Sequence, residues 1–299
     1  MRMEQLYHVV NISRQGFHQH LRAQRRRTDE ERIIMQIADH IRKQGKHPRM
    51  GCRTMYFFAK KHAEKYPLPF KIGRKAFEKT LLDKGFRLVK KRVFHKTTRR
   101  GPYIWDNLIA AARLWSVDMV WVSDITYFEI WSAGRKIFFY LTLILDVYSR
   151  KCLGWHVSKN LQTENTSLPA LQMALKSRNI KHKQPCSGLI FHSDGGGQYS
   201  DHAFMELLGQ HNIKSSMANV VYENPFVERF HATIKNDYLY PWQPNSFNLL
   251  LDLTRQAVYL YNFERPHSKL GRKSPVEFEQ MLAKLPLCQR TFLTIKVVD

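Results

Sequence analysis

Leu189-Ile190-Phe191-His192-Ser193-Asp194-Gly195-Gly196-Gly197-Gln198-Tyr199 sets a short apolar run against a carboxylate and a glycine-rich turn. Such a run predicts a buried strand that ends at Asp194. A second stretch, Glu223-Asn224-Pro225-Phe226-Val227-Glu228-Arg229-Phe230, predicts a helix that begins near Pro225 and carries Glu228 one turn inside it. A third carboxylate, Asp124, ends the strand-like run Met119-Val120-Trp121-Val122-Ser123. Taken singly, each is more readily a solvated turn or helix-cap residue. Carboxylates arriving from two strands and one helix suit a site for two Mg2+ ions, the chemistry that breaks and joins phosphodiester bonds.

Charge points to the same class of substrate. The chain of 299 residues carries a net +23, and residues 1–100 hold 27 Lys and Arg against only 8 Asp and Glu. Nearly all of the excess therefore lies in the N-terminal third. A basic surface of that density neutralises phosphates and releases counterions, which favours DNA or RNA in a salt-dependent way. The residues expected to make such contacts in this third are Arg14, Arg25, Arg26, Arg27, Arg53, Arg74, Lys75, Lys90, Lys91 and Arg92. No window is apolar and long enough to predict a membrane span, and Met1-Arg2-Met3-Glu4 leads into no signal-peptide core. Cys52, Cys152, Cys186 and Cys288 are widely spaced and match no zinc pattern with the histidines.

Periodicity divides the chain into four expected parts. Residues 1–27 form a short helix-turn-helix-like segment, with Ser13 as an N-cap and Arg25-Arg26-Arg27 as a charged linker. Residues 28–104 form a basic helical DNA-binding domain with its exit linker. It opens with a capping box at Thr28 and Glu31 and continues in helices from Cys52 and from Arg74 to Asp83. Residues 105–240 change to strands: Met119 to Phe128, Ile137 to Asp146 and Lys151 to Ser158, joined closely enough to be antiparallel. Helices and strands then alternate from Thr166 to Tyr238, which predicts a mixed sheet flanked by helices in the order β-β-β-α-β-α-β-α. Residues 241–299 form a helical tail, with an amphipathic helix from Ser246 to Phe263 and a last helix capped by Ser274, Pro275 and Glu277.

Five stretches occur in a telling order. They are Trp121-Val122-Ser123-Asp124-Ile125-Thr126-Tyr127, Asp146-Val147-Tyr148-Ser149-Arg150, His192 to Tyr199, Glu223 to Glu228, and Tyr261-Asn262-Phe263-Glu264-Arg265-Pro266-His267 with Leu270-Gly271 and Ser274-Pro275. Together, over roughly residues 30 to 280, the chain resembles the second-frame (OrfB) transposases of the IS-three family of bacterial insertion sequences. The resemblance implies an α/β RNase H-like, retroviral-integrase-like core with a mixed five-stranded sheet, preceded by the all-α basic module and followed by the helical tail. It also implies a DDE catalytic and metal-binding triad on Asp124, Asp194 and Glu228, holding two Mg2+ ions, with Mn2+ able to substitute. The implied partners are double-stranded DNA (element ends and target), a second copy of the chain, and a fused upstream-frame protein. The implied place is the bacterial cytoplasm, on the nucleoid.

Asp118 and Glu223 are rivals for the first and third positions; Asp118 precedes the apolar strand and Glu223 precedes the helix. Between Asp194 and Glu228 lie 33 residues, fewer than the family's usual spacing, and the shortfall falls in Ala218-Asn219-Val220-Val221-Tyr222. His231 and Lys235 share the helix face of Glu228 and would reach DNA phosphate or solvent. Arg265 and His267 would touch DNA or stabilise the tail, whereas His192 is expected to be structural and Asp146 and Arg150 to pair and hold the second strand. The competing functions are a catalytically silent DNA-binding regulator and an RNase H-like nuclease without strand transfer.

Overall fold

The computed structural model describes residues 7, 11–44, 46–68, 72–88, 105–132, 134–218 and 225–295. The chain divides into two compact units, Met1–Lys91 and Arg92–Asp299.

In the first unit, α1 (Arg14–Lys43) packs with α2 (Cys52–Lys61) and α3 (Arg74–Asp83). Ser13 caps α1 as its sequence predicts, its hydroxyl accepting the Gly16 N–H at 3.0 Å. The expected break at Arg25-Arg26-Arg27 does not occur. Arginine favours helix and neither Gly nor Pro interrupts this stretch, so one helix runs through it. Arg26 pairs with Glu30 one turn on, and the Thr28 hydroxyl donates back to the Gln24 carbonyl at 3.1 Å instead of capping a new helix. The expected boundary between residues 27 and 28 therefore falls inside α1. Only the second half of α1 is buried, through Ile34, Ile37, Ala38 and Ile41, against Met55, Phe58, Phe77 and Leu81.

The second unit is the predicted layered core. A two-residue β1 (Arg113–Leu114) leads into β2 (Val120–Ser132), β3 (Arg135–Asp146) and β4 (Cys152–Ser158). Then follow α4 (Ser167–Ser177), β5 (Ile190–Ser193), α5 (His202–Gln210), β6 (Lys214–Met217) and α6 (Pro225–Thr233). The sheet order is β4-β3-β2-β5-β6, with β2-β3 and β3-β4 antiparallel and β2-β5 and β5-β6 parallel. Alternation along each strand sends neighbouring side chains to opposite faces. Val120, Val122, Leu143 and Leu145 thus join one core with α6, while Trp121, Ile144 and Phe191 join the other with α4 and α5. The strand expected over Met119 to Phe128 runs four residues further than its sequence suggests, and Asp124 sits inside it. The strand continues to Ser132 because Ile125 to Trp131 keep pairing with β3.

Past α6 the chain widens into π-turns at Ile234–Leu239, just ahead of Pro241, which has no N–H to give the carbonyl four residues back. The tail then folds into the core and forms no separate part. In α7 (Phe247–Phe263), Asn262 accepts the Cys152 N–H and donates to the Cys152 carbonyl, both at 2.9 Å, which pins the helix to edge strand β4. Helix α8 (Pro275–Ala283) carries the predicted capping box of Ser274 and Glu277. Its Glu279 takes Arg178 in a two-pronged ion pair (2.7 and 2.9 Å) and Lys151 at 2.8 Å. Finally β7 (Leu293–Thr294) pairs with β1 at the entrance to the core.

Gly154 shows how tightly β4 and α4 meet. A Cβ there would lie 2.1 Å from the Ala170 carbonyl oxygen and 2.9 Å from the Ala174 nitrogen, both backbone. We expect Gly154→Ala to destabilise the fold by at least about 2 kcal/mol, because backbone cannot swing aside as a side chain does. Chemical denaturation measures this directly; a variant as stable as wild type would refute the close contact.

Candidate active site

Parallel pairing of β2 with β5 sets Val122 opposite His192. Two residues further along each strand direction come Asp124 and Asp194, so the two carboxylates arrive side by side. Asp194 leaves β5 into the glycine turn, where the Gly196 N–H donates to its Oδ1 at 3.2 Å. A Cβ at residue 196 would crowd that same oxygen at 3.1 Å, so the glycine leaves room for the carboxylate. Glu228 comes from the first turn of α6, where a helix end favours negative charge.

Asp124 feels the charges of both other groups. Burial, then the charges of Asp194 and Glu228, push the Asp124 carboxyl up to about 8, partly offset by the Ile125 N–H bonded to its Oδ1 at 2.9 Å. Burial also raises Asp194 and Glu228. Beneath Asp124, the buried Ser123 and Tyr199 hydroxyls share a hydrogen bond of 2.9 Å that ties β2 to the turn after Asp194.

Two expected phosphate contacts turn inward instead. His231 is buried, and its Nε2–H donates to the Asp124 backbone carbonyl at 3.1 Å with Asp124 Oδ2 at 3.7 Å. Its Nδ1 has no hydrogen-bond partner among the described residues. Burial and the Lys235 charge hold this imidazole neutral, down to about 3. Lys235 donates to Tyr127 O at 2.7 Å and Thr126 Oγ1 at 3.1 Å, which ties α6 to β2. Sequence spacing finds the shared helix face but not the strand beneath it.

The remaining candidates separate by partner. Asp118, the rival for the first position, accepts from Arg178 Nε at 2.7 Å and Trp121 Nε1 at 2.9 Å, a structural use. Asp146 pairs with Arg178 at 3.8 Å, and it accepts the Asp118 and Ser149 N–H groups. Arg150 instead lies over the Phe226 ring. Arg265 is committed to Asp237 at 2.7 Å and is not a free surface cation. His192 is fully buried and bonds the Ser216 hydroxyl, as its strand position predicts. In the first unit Arg14, Arg25, Arg26, Arg27, Arg53 and Lys75 are exposed, although Arg53 and Arg74 both converge on Glu78. Lys90, Lys91, Arg92, Glu223 and most of the shortened loop lie outside the described residues.

Among the described residues no three His, Cys, Asp or Glu side chains stand close enough together to grip a metal ion directly. None of the described helices is long and apolar enough to cross a membrane.

The chain is similar to several known proteins. Integrase core domain families match residues 116–221 and 212–275. The insertion element IS600 31 kDa protein of Shigella sonnei is 29% identical over 91% of this chain and 96% of its own length. Transposase InsF for insertion sequence IS3A of Escherichia coli (strain K12) is 32% identical over 53% of this chain and 53% of its own. Among solved structures, the HTLV-2 integrase catalytic core domain in complex with magnesium covers 58% of this chain and 99% of its own, at 19% identity and a TM-score of 0.41.

Crowding at the site has a measurable cost. A carboxyl raised in the folded state supports the fold fully below its unfolded value, near 4, and loses that support as pH rises through about 8. We expect metal-free wild type to lose thermal stability across that range and Asp124→Asn to flatten the loss. Calorimetry at stepped pH tests this; equal pH slopes in the two proteins would contradict the crowding.

Proposed function

Since the chain belongs to the insertion-sequence transposases of the IS-three type built on an integrase core, we propose that it cleaves the ends of a DNA element and joins them to target DNA. Asp124, Asp194 and Glu228 are the groups we hold responsible. The observation that carries this reading is the parallel pairing of β2 with β5, which sets Asp124 beside Asp194, with the charge of Glu228 from α6 also acting on Asp124.

The donor chemistry fits divalent magnesium. All three groups offer hard carboxylate oxygen, and the one imidazole beside them has its Nε2 turned to a backbone carbonyl. Bound there, two Mg2+ ions, or Mn2+ in their place, would activate the attacking water or DNA 3′-hydroxyl and stabilise the leaving 3′-oxygen. The chain's own part is positional. His231 and Lys235 fix β2 against α6, so that Asp124 and Glu228 keep their relation when DNA arrives. Desolvation strengthens each electrostatic contact at the site.

Exposed arginines of α1 and Lys75 would supply sequence-independent affinity for phosphate. Two element ends handled together call for at least two copies of the chain, working on the nucleoid in the cytoplasm, with an upstream-frame fusion as a further partner.

The test is incubation of the protein with Mg2+ and DNA carrying its element's ends. We expect nicking and joining by wild type and a loss of at least about a thousandfold in Glu228→Gln, roughly 4 kcal/mol of transition-state stabilisation. Asp118→Asn should retain cleavage, because that carboxylate serves Arg178. Undiminished activity in Glu228→Gln, or none in wild type, would overturn the assignment.

A further inference from the structure

Two arginines of the core unit are committed to carboxylates, Arg178 to Asp118 and Glu279 and Arg265 to Asp237. Arg150 is different. It sits in the turn after β3, where its N–H bonds the Asp146 carbonyl at 2.9 Å, and its φ of 61° lies in the left-handed region. Glycine would adopt that conformation without steric cost, so an arginine there needs a reason. Its guanidinium lies half-buried, 4.2 Å from the centre of the Phe226 ring, and among the described residues it makes no ion pair. Phe226 is in the first turn of α6, two residues before Glu228. An aromatic face holds a guanidinium in place while leaving its donors to a further partner.

Other cations gather at the same place from separate parts of the chain. Arg229, on the next turn of α6 from Phe226, is exposed. His267 and Arg272 belong to the loop after α7, closed by the Arg272 N–H on the His267 carbonyl at 3.0 Å and the His267 N–H on the Lys273 carbonyl at 2.9 Å. Every charge that acts on His267 is cationic: Arg150, Arg265, Arg229 and Arg272, and with burial they hold it neutral, down to about 4. Asp237 holds Arg265 and Asp146 acts on Arg150, yet the four arginines around His267 outnumber these two carboxylates, a field that favours a further anion.

We propose that Arg150, Arg229 and the His267–Arg272 loop form a built phosphate-binding patch that grips the DNA backbone beside Glu228. The β3–β4 turn, the start of α6 and the loop after α7 are each fixed by backbone hydrogen bonds, so the donors are ordered before DNA arrives. That arrangement keeps the entropy cost of binding low. The patch explains why a turn, a helix start and a tail loop each carry arginine at one place. It rests on the transposase reading and says which surface near the site holds the strand.

The test is binding of a fluorescent random-sequence duplex by full-length wild type, Arg150→Gly and Arg229→Gln across a salt series. Arg150→Gly suits the left-handed turn, so its thermal midpoint should stay at or above that of wild type. Each variant should bind several-fold more weakly and lower the salt slope by about 1, since one phosphate fewer is neutralised. Stable variants with wild-type affinity and slope would sink the patch while leaving the transposase reading intact. A wild type that fails to bind the duplex overturns both. Strong thermal stabilisation by inorganic phosphate alone, with duplex binding unchanged in the variants, would make the patch a free-anion pocket and overturn the DNA assignment.

Discussion

Parallel pairing between β2 and β5 is the constraint on which the rest of the core depends. With Val122 opposite His192, the two strands deliver Asp124 and Asp194 to neighbouring positions, and no side-chain rearrangement can separate their backbones. Like charges so placed, and desolvated, oppose folding. The apolar layers on both faces of the sheet hold them together nonetheless. Val122, Leu143 and Leu145 bury against α6 and α7 on one side, and Trp121, Ile144 and Phe191 against α4 and α5 on the other. Burial of that extent outweighs the repulsion, since each fully buried large apolar side chain contributes about 1.5–3 kcal/mol.

The third carboxylate depends on a different device. Glu228 is carried by a helix, and a helix can slide or turn on a sheet in a way that paired strands cannot. His231 and Lys235 restrain it, one through the Asp124 carbonyl and the other through Tyr127 O. Both contacts are to backbone or to β2 itself, so α6 is registered against the strand that carries Asp124. The tail adds a second restraint, because Asp237 on the continuation of α6 holds Arg265 after α7. Asn262 and Glu279 then fasten α7 and α8 to β4, Lys151 and Arg178. The tail is thus a brace for the site.

Much of this is legible in the sequence. Most of the core strands, the capping box at Ser274 and the three carboxylates carry local signals: strand-length apolar runs, a serine three residues before a glutamate, a glycine turn after an aspartate. The departures share one cause, a local pattern overruled by something outside it. Arg25-Arg26-Arg27 suggests a linker if charge is taken as a break, although arginine is a good helix former. The strand expected to stop at Phe128 runs on to Ser132, because pairing with β3 continues past the local pattern. Arg265 and His231 resemble surface groups because their partners, Asp237 and the Asp124 carbonyl, are distant in sequence and leave no spacing to detect. Arg150, four residues from Asp146, suggests an ion pair with it, yet Asp146 takes Arg178 and the turn points the Arg150 guanidinium to Phe226.

The central claim is that carboxylates from β2, β5 and α6 form one metal-dependent site. Crystals of the wild-type chain soaked in Mn2+ test it most directly, through the anomalous signal of the ion. The account predicts anomalous density between Asp124 and Asp194, within reach of Glu228, and its loss in Asp124→Asn. Density bound elsewhere, or unchanged in that variant, would contradict it.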